Sequence, residues 1–519
     1  MSSPTMTQNR KLLILTISFW MALAIIYFKF FDVSRAGGVI LGEPDEFAHS
    51  QIVARLPATR GPFYSGKPFF YDPPFFFWAS SLLNLAFKNS LQAVRVTSFA
   101  ATLLSSLMIL YYGRKRGFSR LSSLASSLVF LLVPLTVFYS QVGLIEPLLT
   151  FLLLGFFVFY DLYLLDRCSR DSFVAGLFLA LAVLTKYTAL VVAPIVSLVF
   201  LYRCIRLNIE RRKTLKEGYW LIDLASFYPL LLAGLLVVPV LALSYLKSPF
   251  EFKLQTYQVL GLTRAAVFVP FTNLSNPDFT RNIFWWFSPI FLLICFLGLT
   301  VLFTKKARSS LFLVVTAFLM VASVTSRLPF HPRYLVVLTP FLALLTLSLF
   351  SLLETVFRKA PILVVLFLFF YIFYQKPALT NAYRSSKVNL LEQAVGYVGK
   401  IDPQREAWIF SNYWPNIIAQ LSSRNKFGWL TLDNREISIF NPEESRTGLQ
   451  IMEEESSFIL VEDLYSKLSI VAPGPRDEAL KYLVKNYQPE VLITDSSPNF
   501  PFVQKNGNTV EIYRLPISR

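Results

Sequence analysis

Eleven apolar stretches recur along the first 375 residues of this 519-residue chain, and they restrict its possible folds more than any other feature. Most are about 20 residues long, which is the length of α-helix that spans a hydrocarbon layer of about 30 Å. They lie at 12–31, 93–112, 121–139, 147–165, 172–185, 188–203, 221–244, 284–303, 311–325, 334–353 and 361–375. The pattern predicts a polytopic α-helical membrane protein with about 11 transmembrane helices.

The composition agrees with a membrane protein and argues against a soluble one. Only 16% of the residues are charged and the mean hydropathy is +0.52. Soluble globular chains carry about 25% charged residues. A single core could not hide so much apolar surface from water.

The net charge of +17 comes entirely from the apolar part of the chain. Residues 384–519 hold 15 Lys and Arg against 17 Asp and Glu. Nineteen of the other 34 cations lie in the N-terminus and in five short loops, at 114–120, 166–170, 203–216, 304–308 and 358–359. Cytoplasmic loops of membrane proteins carry this excess. The distribution predicts a cytoplasmic N-terminus and an extracytoplasmic C-terminus, and it argues against a nucleic-acid partner.

The first apolar stretch and the cysteines say little about processing or redox chemistry. Stretch 12–31 is too long for the apolar region of a cleaved signal peptide, so we expect a retained signal anchor. The three cysteines, Cys168, Cys204 and Cys295, show no disulfide framework and no metal-binding spacing.

Three segments are expected on the outer face of the membrane. The first, 32–91, contains two predicted interfacial helices, one after the acidic cluster at 43–46 and one at 73–87. The second is the loop 246–283. The third, 376–519, is expected to form a small soluble α/β domain after a membrane domain at 1–375. Its predicted elements are helices at 389–399 and 476–486 and strands at 407–410, 457–461, 491–494 and 509–515.

Acidic residues at the outer ends of the predicted helices are the strongest candidates for chemistry. Asp45 and Glu46 follow the first stretch, and Glu146 opens the fourth. Acids in the first turn of a helix are stabilised by its dipole, which is a sufficient structural explanation for the pair. The functional interpretation is a general base that removes the proton from an attacking hydroxyl. The two interpretations are compatible.

Cations are predicted at the same level of the membrane. Lys186 interrupts two apolar stretches and Arg333 opens another, with Lys67, Arg55 and Arg327 nearby. Such side chains often only extend their charge toward lipid headgroups. The alternative is a clamp that stabilises a departing lipid phosphate.

These residues occur in an order that resembles a known family. The motifs are Asp45-Glu46, YDPPFFFW at 71–78, Glu146, LTKYT around Lys186, and Arg333-Tyr334 followed by a proline. Together they are similar to the GT-C glycosyltransferase superfamily, in particular to the group that contains protein O-mannosyltransferases and the lipid A aminoarabinose transferase (glycosyltransferase family 39 and its relatives). The resemblance covers roughly residues 12–375 and leaves the C-terminal segment unmatched.

The resemblance implies an inverting transfer of a sugar from a polyprenyl-phosphate carrier to an acceptor hydroxyl outside the cytoplasm. Asp45, its neighbour Glu46, and Glu146 would be the catalytic acids. The donor phosphate would lie near six residues: Lys186, Arg333, Tyr334, Lys67, Arg55 and His49. No nucleotide cofactor is required, and no spacing of His, Cys and Asp indicates a tight metal site. A loosely held divalent cation is compatible with the pattern.

Two positions depart from the aminoarabinose transferase. That enzyme has Lys before the proline of the aromatic helix, where this chain has Asp72, and Arg three residues after the catalytic Asp, where this chain has Ala48. Both differences remove cations that would contact the donor phosphate.

The sequence therefore favours a glycosyltransferase of the cell membrane. Its partners would be a lipid-linked sugar donor, a protein, lipid or glycan acceptor, and the bilayer. A transporter or flippase for a lipid-linked or anionic solute is the alternative, but it would predict charged residues near mid-membrane in two similar halves. A non-enzymatic scaffold or receptor would leave the acids and cations of the outer face unexplained.

Overall fold

The computed structural model describes a helical bundle followed by a β-sheet. The described residues are 45–59, 61–64, 67–215, 222–256, 283–284, 286–304, 332–356, 360–385, 390–401, 408–411, 426–429, 457–462, 488, 490–494 and 509–514. The α-helices of this part are α1 (Asp45–Thr59), α2 (Phe75–Phe87), α3 (Ser90–Lys115), α4 (Arg120–Leu131), α5 (Pro134–Tyr139), α6 (Ile145–Asp166), α7 (Ser169–Val183), α8 (Ala193–Leu215), α9 (Leu224–Lys247), α10 (Pro289–Thr304), α11 (Thr339–Val356), α12 (Ala360–Ser385) and α13 (Leu390–Ile401). Two 3-10 helices, Tyr187–Val192 and Pro332–Leu338, precede α8 and α11.

Side-chain caps explain where two of these helices begin. The side-chain oxygen of Asn89 accepts a hydrogen bond of 3.0 Å from the backbone N–H of Gln92 at the start of α3. Ser119 does the same at the start of α4, where it accepts from the backbone N–H of Ser122 at 3.0 Å. These bonds satisfy N–H groups that have no partner within the first helical turn.

Five helices of the described part are long and apolar enough to cross a membrane. They are Ser90–Lys115, Ile145–Asp166, Tyr187–Ile209, Leu224–Lys247 and Arg333–Val356. Each coincides with a predicted stretch, so the chain is a multi-pass α-helical membrane protein. The predicted stretches 12–31 and 311–325 lie outside the described residues, and the total of about 11 helices stays a prediction.

Helix α6 lies at the centre of the described bundle, where nearly all of its side chains are buried. It packs against α3, α7 and the 3-10 helix 332–338. Hydroxyl pairs join other helices: Ser106 and Ser127 approach to 2.7 Å between α3 and α4, and Thr346 donates to Ser126 at 2.7 Å between α11 and α4. Small residues and hydroxyl groups allow membrane helices to approach closely.

Two predicted stretches are interrupted in the structure. The stretch 121–139 is not one helix, because α4 ends at Leu131 and α5 begins at Pro134. Val133 is extended, which is the conformation that a following proline favours. The predicted polar break at 185–187 is present: α7 ends at Val183, and Lys186 is extended with φ −155°.

The segment between α1 and α3 carries the two helices that the sequence predicts. A short hairpin, β1 (Phe63–Tyr64) with β2 (Lys67–Pro68), joins α1 to α2. Two contacts hold the turn after this hairpin. Gln255 accepts a hydrogen bond from the backbone N–H of Phe70 at 2.6 Å, and the N–H of Phe75 donates to the carbonyl of Leu184 at 2.9 Å.

The C-terminal strands form a five-stranded mixed sheet in the order β4-β3-β5-β7-β6. The strands are β3 (Trp408–Ser411), β4 (Lys426–Trp429), β5 (Ser457–Glu462), β6 (Val491–Thr494) and β7 (Thr509–Arg514). Strand β3 is parallel to β4 and β5, whereas β7 is antiparallel to β5 and β6. Four of these strands and α13 coincide with predicted elements; β4 was not predicted, and the predicted helix 476–486 lies outside the described residues. Helix α12 continues past residue 375 to Ser385, so the division at 375/376 stays a prediction.

Candidate active site

The candidate site begins with two neighbouring acids that point to different places. Asp45 and Glu46 open α1, in the first turn where the helix dipole stabilises negative charge. The side chain of Asp45 is 42% exposed, whereas that of Glu46 is 0% exposed. Consecutive residues on an α-helix point about 100° apart, because a turn takes 3.6 residues. One carboxylate is therefore partly exposed to solvent while the other is fully buried.

Glu46 forms a buried ion pair. Arg95 of α3 donates to both of its oxygens, from Nε at 2.7 Å and from Nη2 at 2.8 Å. The backbone N–H of Gly143 donates to Glu46 Oε1 at 2.6 Å. A carboxylate with these partners binds α1 to α3 and to the loop before α6. This geometry favours a structural role for Glu46 over the catalytic role that the sequence suggested.

His49 binds the carbonyl group of the same residue, Gly143. Its Nδ1 lies 3.0 Å from the carbonyl oxygen of Gly143, so Nδ1 carries the proton and donates it, because a carbonyl only accepts. The ring is 5% exposed and contacts the edges of Phe76 and Phe77. His49 and Glu46 thus clamp the backbone of Gly143, three residues before Glu146, and this clamp sets the position of α6 relative to α1.

Gly143 leaves no room for a side chain in this clamp. A Cβ at this position would overlap Val94 Cγ2 and lie 2.9 Å from Val94 Cβ, and Val94 is fully buried. We expect Gly143→Ala to destabilise the protein by about 1–3 kcal/mol, the usual cost of overpacking. Thermal unfolding in detergent measures this change. The second substitution Val94→Ala removes the overlapping methyl and is expected to recover part of the loss; no recovery would contradict the steric explanation.

A chain of ion pairs links the remaining predicted site residues. Arg333 of the second 3-10 helix donates to Asp45 through Nη1, and its Nε lies 3.6 Å from Glu146 Oε1. Lys186 donates to the same Glu146 oxygen at 2.6 Å. Glu146 is 3% exposed and Lys186 is 14% exposed. The structure therefore joins Asp45, Arg333, Glu146 and Lys186, which come from α1, α6 and the two 3-10 segments.

Tyr334 lies between the two cations of this chain. Lys186 Nζ is 5.3 Å and Arg333 Cζ is 5.5 Å from the centre of its ring. An aromatic face attracts cations and holds them in place without consuming their hydrogen-bond donors. Tyr334 thus stabilises two neighbouring positive charges that would otherwise repel each other.

Asp72 is electrostatically coupled to the site, although in the sequence it stands out only as a difference from the aminoarabinose transferase. Its half-buried carboxyl is electrostatically coupled to Lys186, His49, Glu146 and Asp45. Burial raises the pKa of this carboxyl, while Lys186 and His49 act in the opposite direction. The signal available in the sequence was its place directly before Pro73-Pro74, at the start of an aromatic helix.

Of the other predicted phosphate-binding residues, Arg55 has no described contact with this ion-pair chain, and the side chain of Lys67 lies outside the described part of the structure. Arg55 is exposed on α1, about 15 Å along the helix from Asp45. Lys67 belongs to β2, in the hairpin before the Asp72 turn. Arg327 lies outside the described residues.

Whether the site holds a metal ion stays a prediction. Within the described ranges, no three His, Cys, Asp or Glu residues group as ligands. Asp45, Glu46 and Glu146 each direct their oxygens at a cation of the protein. Carboxylates that ligate Ca²⁺ or Mg²⁺ must offer these oxygens to the ion.

A second buried acid lies near the other end of α6. Asp161 accepts a hydrogen bond from Tyr112 at 2.8 Å and lies 3.7 Å from Arg116 Nη1. This cluster lies next to the cationic loop 114–120, about 22 Å along α6 from Glu146. It satisfies a buried charge at that end of the bundle and does not belong to the candidate site.

Part of the chain matches the model of a known protein family. Residues 71–243, which contain Asp72, Glu146 and Lys186, match the family model described as dolichyl-phosphate-mannose-protein mannosyltransferase. No protein of curated function matches the chain.

Solved structures with the same fold cover nearly the whole chain. ArnT from Cupriavidus metallidurans in the apo state is 13% identical with a TM-score of 0.59, over 98% of this chain and 99% of that one. ArnT bound to undecaprenyl phosphate is 14% identical with a TM-score of 0.57, over 97% and 98%. The oligosaccharyltransferase AglB from Archaeoglobus fulgidus, in complex with an inhibitory peptide and a dolichol-phosphate, is 12% identical with a TM-score of 0.54, over 93% and 73%. Residues 71–243 thus resemble the dolichyl-phosphate-mannose-protein mannosyltransferases, and the chain shares the fold of ArnT and AglB.

Proposed function

We propose that this protein transfers a sugar from a polyprenyl-phosphate carrier to an acceptor hydroxyl on the outer face of the membrane. The observation that carries the proposal is the ion-pair chain from Asp45 through Arg333 and Glu146 to Lys186. One of its two cations, Arg333, contacts Asp45, a carboxylate that is exposed enough to meet a substrate. The polyprenyl phosphates in the similar structures of ArnT and AglB support a lipid-linked donor.

Asp45 is the general base in this proposal. Its side chain is 42% exposed, and it stands at the edge of the cluster where an acceptor hydroxyl can approach. The carboxylate accepts the hydroxyl proton while the acceptor oxygen attacks the anomeric carbon. Attack from the face opposite the phosphate inverts the configuration at that carbon.

Lys186 and Arg333 hold the phosphate that leaves. Both cations are mostly buried, at 14% and 16% side-chain exposure, so solvent screens their charge weakly. Fixed charges aimed at developing negative charge lower the barrier without reorganising during the reaction. Glu146 keeps the two cations together, since its Oε1 lies 2.6 Å from Lys186 and 3.6 Å from Arg333. Glu146 is therefore a positioning residue in the proposal.

The charge distribution supports an outer location for the site. Glu146 opens α6, and the other end of this helix leads into the cationic loop 166–170. Loops rich in Lys and Arg remain in the cytoplasm. The start of α6, with the site, would then face away from the cytoplasm, and the N-terminus would be cytoplasmic and the C-terminus extracytoplasmic.

A transfer assay on the purified protein tests the function. The assay offers a panel of radiolabelled polyprenyl-phosphate sugars, with host membrane extract as the source of acceptor. Label that moves from one donor to an acceptor supports the proposal and identifies the sugar. If no donor reacts while the protein saturably moves another solute across vesicles, the transporter interpretation replaces it.

Lys186→Gln tests the phosphate clamp. The amide still reaches Glu146 as a hydrogen-bond donor but loses the positive charge. A hydrogen bond to a charged group contributes about 1.5–3 kcal/mol, so the Kd for polyprenyl phosphate is expected to rise about 10- to 100-fold. Binding of labelled polyprenyl phosphate in detergent measures the change. Lys115→Ala, at an exposed cation of the opposite end, is the control, and an unchanged Kd in Lys186→Gln would contradict the clamp.

A further inference from the structure

Helix α3 has one exposed apolar face, although its opposite face is buried. Leu104, Leu107 and Tyr111 are 44%, 37% and 37% exposed, whereas Ile109 and Tyr112 are 0% and 2% exposed. Positions 104, 107 and 111 are three and four residues apart, so they lie on one side of the helix. We call these three residues the exposed stripe of α3. Because α3 is long and apolar enough to cross a membrane, the stripe is expected to face lipid.

Aromatic rings extend this apolar surface onto two neighbouring helices. The ring centres of Tyr111 and Phe159 of α6 are 5.8 Å apart, and Phe159 stacks on Phe178 of α7 at 5.6 Å. Gly155 allows this close packing, since a Cβ there would lie 2.4 Å from Phe178 Cδ1. Phe159 and Phe178 are both partly exposed. The three rings therefore form a continuous shelf beside the stripe, on which a hydrocarbon chain can pack.

The stripe ends at two exposed cations. Lys115 lies one helical turn beyond Tyr111, and its Nζ is 5.9 Å from the centre of the Tyr111 ring. Its neighbour Arg114 donates a hydrogen bond of 2.7 Å from Nη1 to the carbonyl of Phe118. Both cationic side chains are exposed. An aromatic face attracts a cation and leaves its N–H groups to bind an anion. The structure thus holds an ammonium and a guanidinium group where the apolar stripe ends.

The acids near this end of the bundle have partners of their own. Arg116 Nη1 lies 3.7 Å from Asp161, so this cation balances the buried carboxylate. Glu354 of α11 accepts a hydrogen bond of 2.6 Å from Ser119, which directly precedes the exposed Arg120. The two cations at the end of the stripe therefore add positive charge to a surface whose acids are already engaged.

The length of the stripe matches one leaflet of a bilayer. The helix rises about 16 Å from Leu104 to Lys115, at about 1.5 Å per residue. Half of a hydrocarbon layer of about 30 Å is about 15 Å. A lipid with its phosphate at Lys115 can therefore place an acyl chain along the whole stripe, as far as the middle of the bilayer.

We propose that the exposed stripe of α3, with Arg114 and Lys115, is a binding site for an anionic phospholipid. The headgroup phosphate accepts hydrogen bonds from the two cations, and an acyl chain packs on the stripe and the aromatic shelf. A zwitterionic headgroup carries a cation of its own, which Arg114 and Lys115 repel. The site is separate from the candidate active site, because Glu146 and Asp161 lie about 22 Å apart along α6. It does not depend on the proposed function.

Binding of phosphatidylglycerol tests the site. The purified protein in a non-ionic detergent is titrated with radiolabelled dioleoyl phosphatidylglycerol, and the Kd is expressed as a mole fraction of lipid in the micelle. Each cation near a membrane surface strengthens the binding of an anionic lipid about fivefold, so the Kd should be about 25-fold below that of dioleoyl phosphatidylcholine. The two lipids have the same acyl chains. Equal Kd values would overturn the proposal.

Substitution of the cations locates the bound lipid. Lys115→Gln should raise the Kd for phosphatidylglycerol about fivefold, and Arg114→Gln/Lys115→Gln about 25-fold. Lys88→Gln makes the same chemical change at an exposed cation that ends α2, and should leave the Kd unchanged. If the double variant keeps the wild-type Kd, the lipid binds elsewhere and the proposed site is wrong.

A soluble headgroup distinguishes a lipid from a free anion. Glycerol phosphate carries the phosphate without acyl chains, so even a large molar excess should not displace phosphatidylglycerol. Displacement would show a site for free phosphate instead of a lipid. Leu107→Ala shortens the stripe and should raise the Kd for both lipids, and an unchanged Kd would exclude the stripe as the acyl-chain surface. All substituted side chains are exposed, and elution as a single species checks that each variant is folded.

Discussion

Asparagine in place of Asp45 is expected to lower the transfer rate by about 10²- to 10⁴-fold, the range that general base catalysis contributes. Asparagine has nearly the same shape as aspartate, and its side-chain oxygen still accepts a hydrogen bond from Arg333. It cannot accept the proton of the acceptor hydroxyl. The loss should therefore appear in kcat, measured with saturating donor in the transfer assay.

Donor binding distinguishes this loss from a damaged site. Removing the negative charge beside Arg333 leaves that cation freer to bind phosphate, so the Kd for polyprenyl phosphate should stay the same or fall. Asp166→Asn provides the matched control, since it makes the same chemical change at an exposed site on α6. If Asp45→Asn transfers sugar at more than half of the wild-type rate, another acid is the base. Glu146 is then the first candidate, because its Oε1 lies 3.6 Å from Nε of the same Arg333.

Alanine in place of Glu46 is expected to cost about 3–5 kcal/mol of stability, because it leaves Arg95 buried without its carboxylate. The Arg95 side chain is only 8% exposed, and water cannot replace two hydrogen bonds of 2.7 Å and 2.8 Å there. Gly143 also loses the acceptor of its backbone N–H. Thermal unfolding in detergent measures the cost, and Asp166→Ala serves as the control.

A double-mutant cycle tests whether the loss belongs to the pair. Removing both partners in Glu46→Ala/Arg95→Ala leaves no unpaired charge, so the double variant should be more stable than the sum of the two single losses predicts. Strict additivity would contradict a buried ion pair. A stable but inactive Glu46→Ala protein would instead return Glu46 to the catalytic role that the sequence suggested.

The difference between Asp45 and Glu46 shows a limit of sequence reasoning. Both are acids in the first turn of the same helix, and the sequence offers them as equal candidates for the base. The structure separates them, because Arg95 is 49 residues from Glu46 and Gly143 is 97 residues from it. Contacts at such separations leave no local pattern.

His49 and Asp72 also show that the sequence does not reveal which groups will surround a side chain. The sequence placed His49 at the donor phosphate, but its Nδ1 proton binds the Gly143 carbonyl and its ring is buried among aromatic residues. Asp72 looked like a missing phosphate contact, and in the fold its carboxyl is electrostatically coupled to Lys186, Glu146 and Asp45. In both cases, the elements that pack around the residue determine what its side chain can bind.

The amino-acid pattern predicted the membrane class of the protein, the five described helices that are long enough to span a bilayer, and the charged residues that the fold brings together. Apolar stretches of about 20 residues are stable in lipid. Charges directly beside them, such as Glu146, Lys186 and Arg333, require an explanation before any fold is known. The tertiary structure alone decided which of these charges meet. An ion-pair chain such as Arg333 to Asp45 joins residues 288 apart, and its energy depends on burial and distance that no single segment contains.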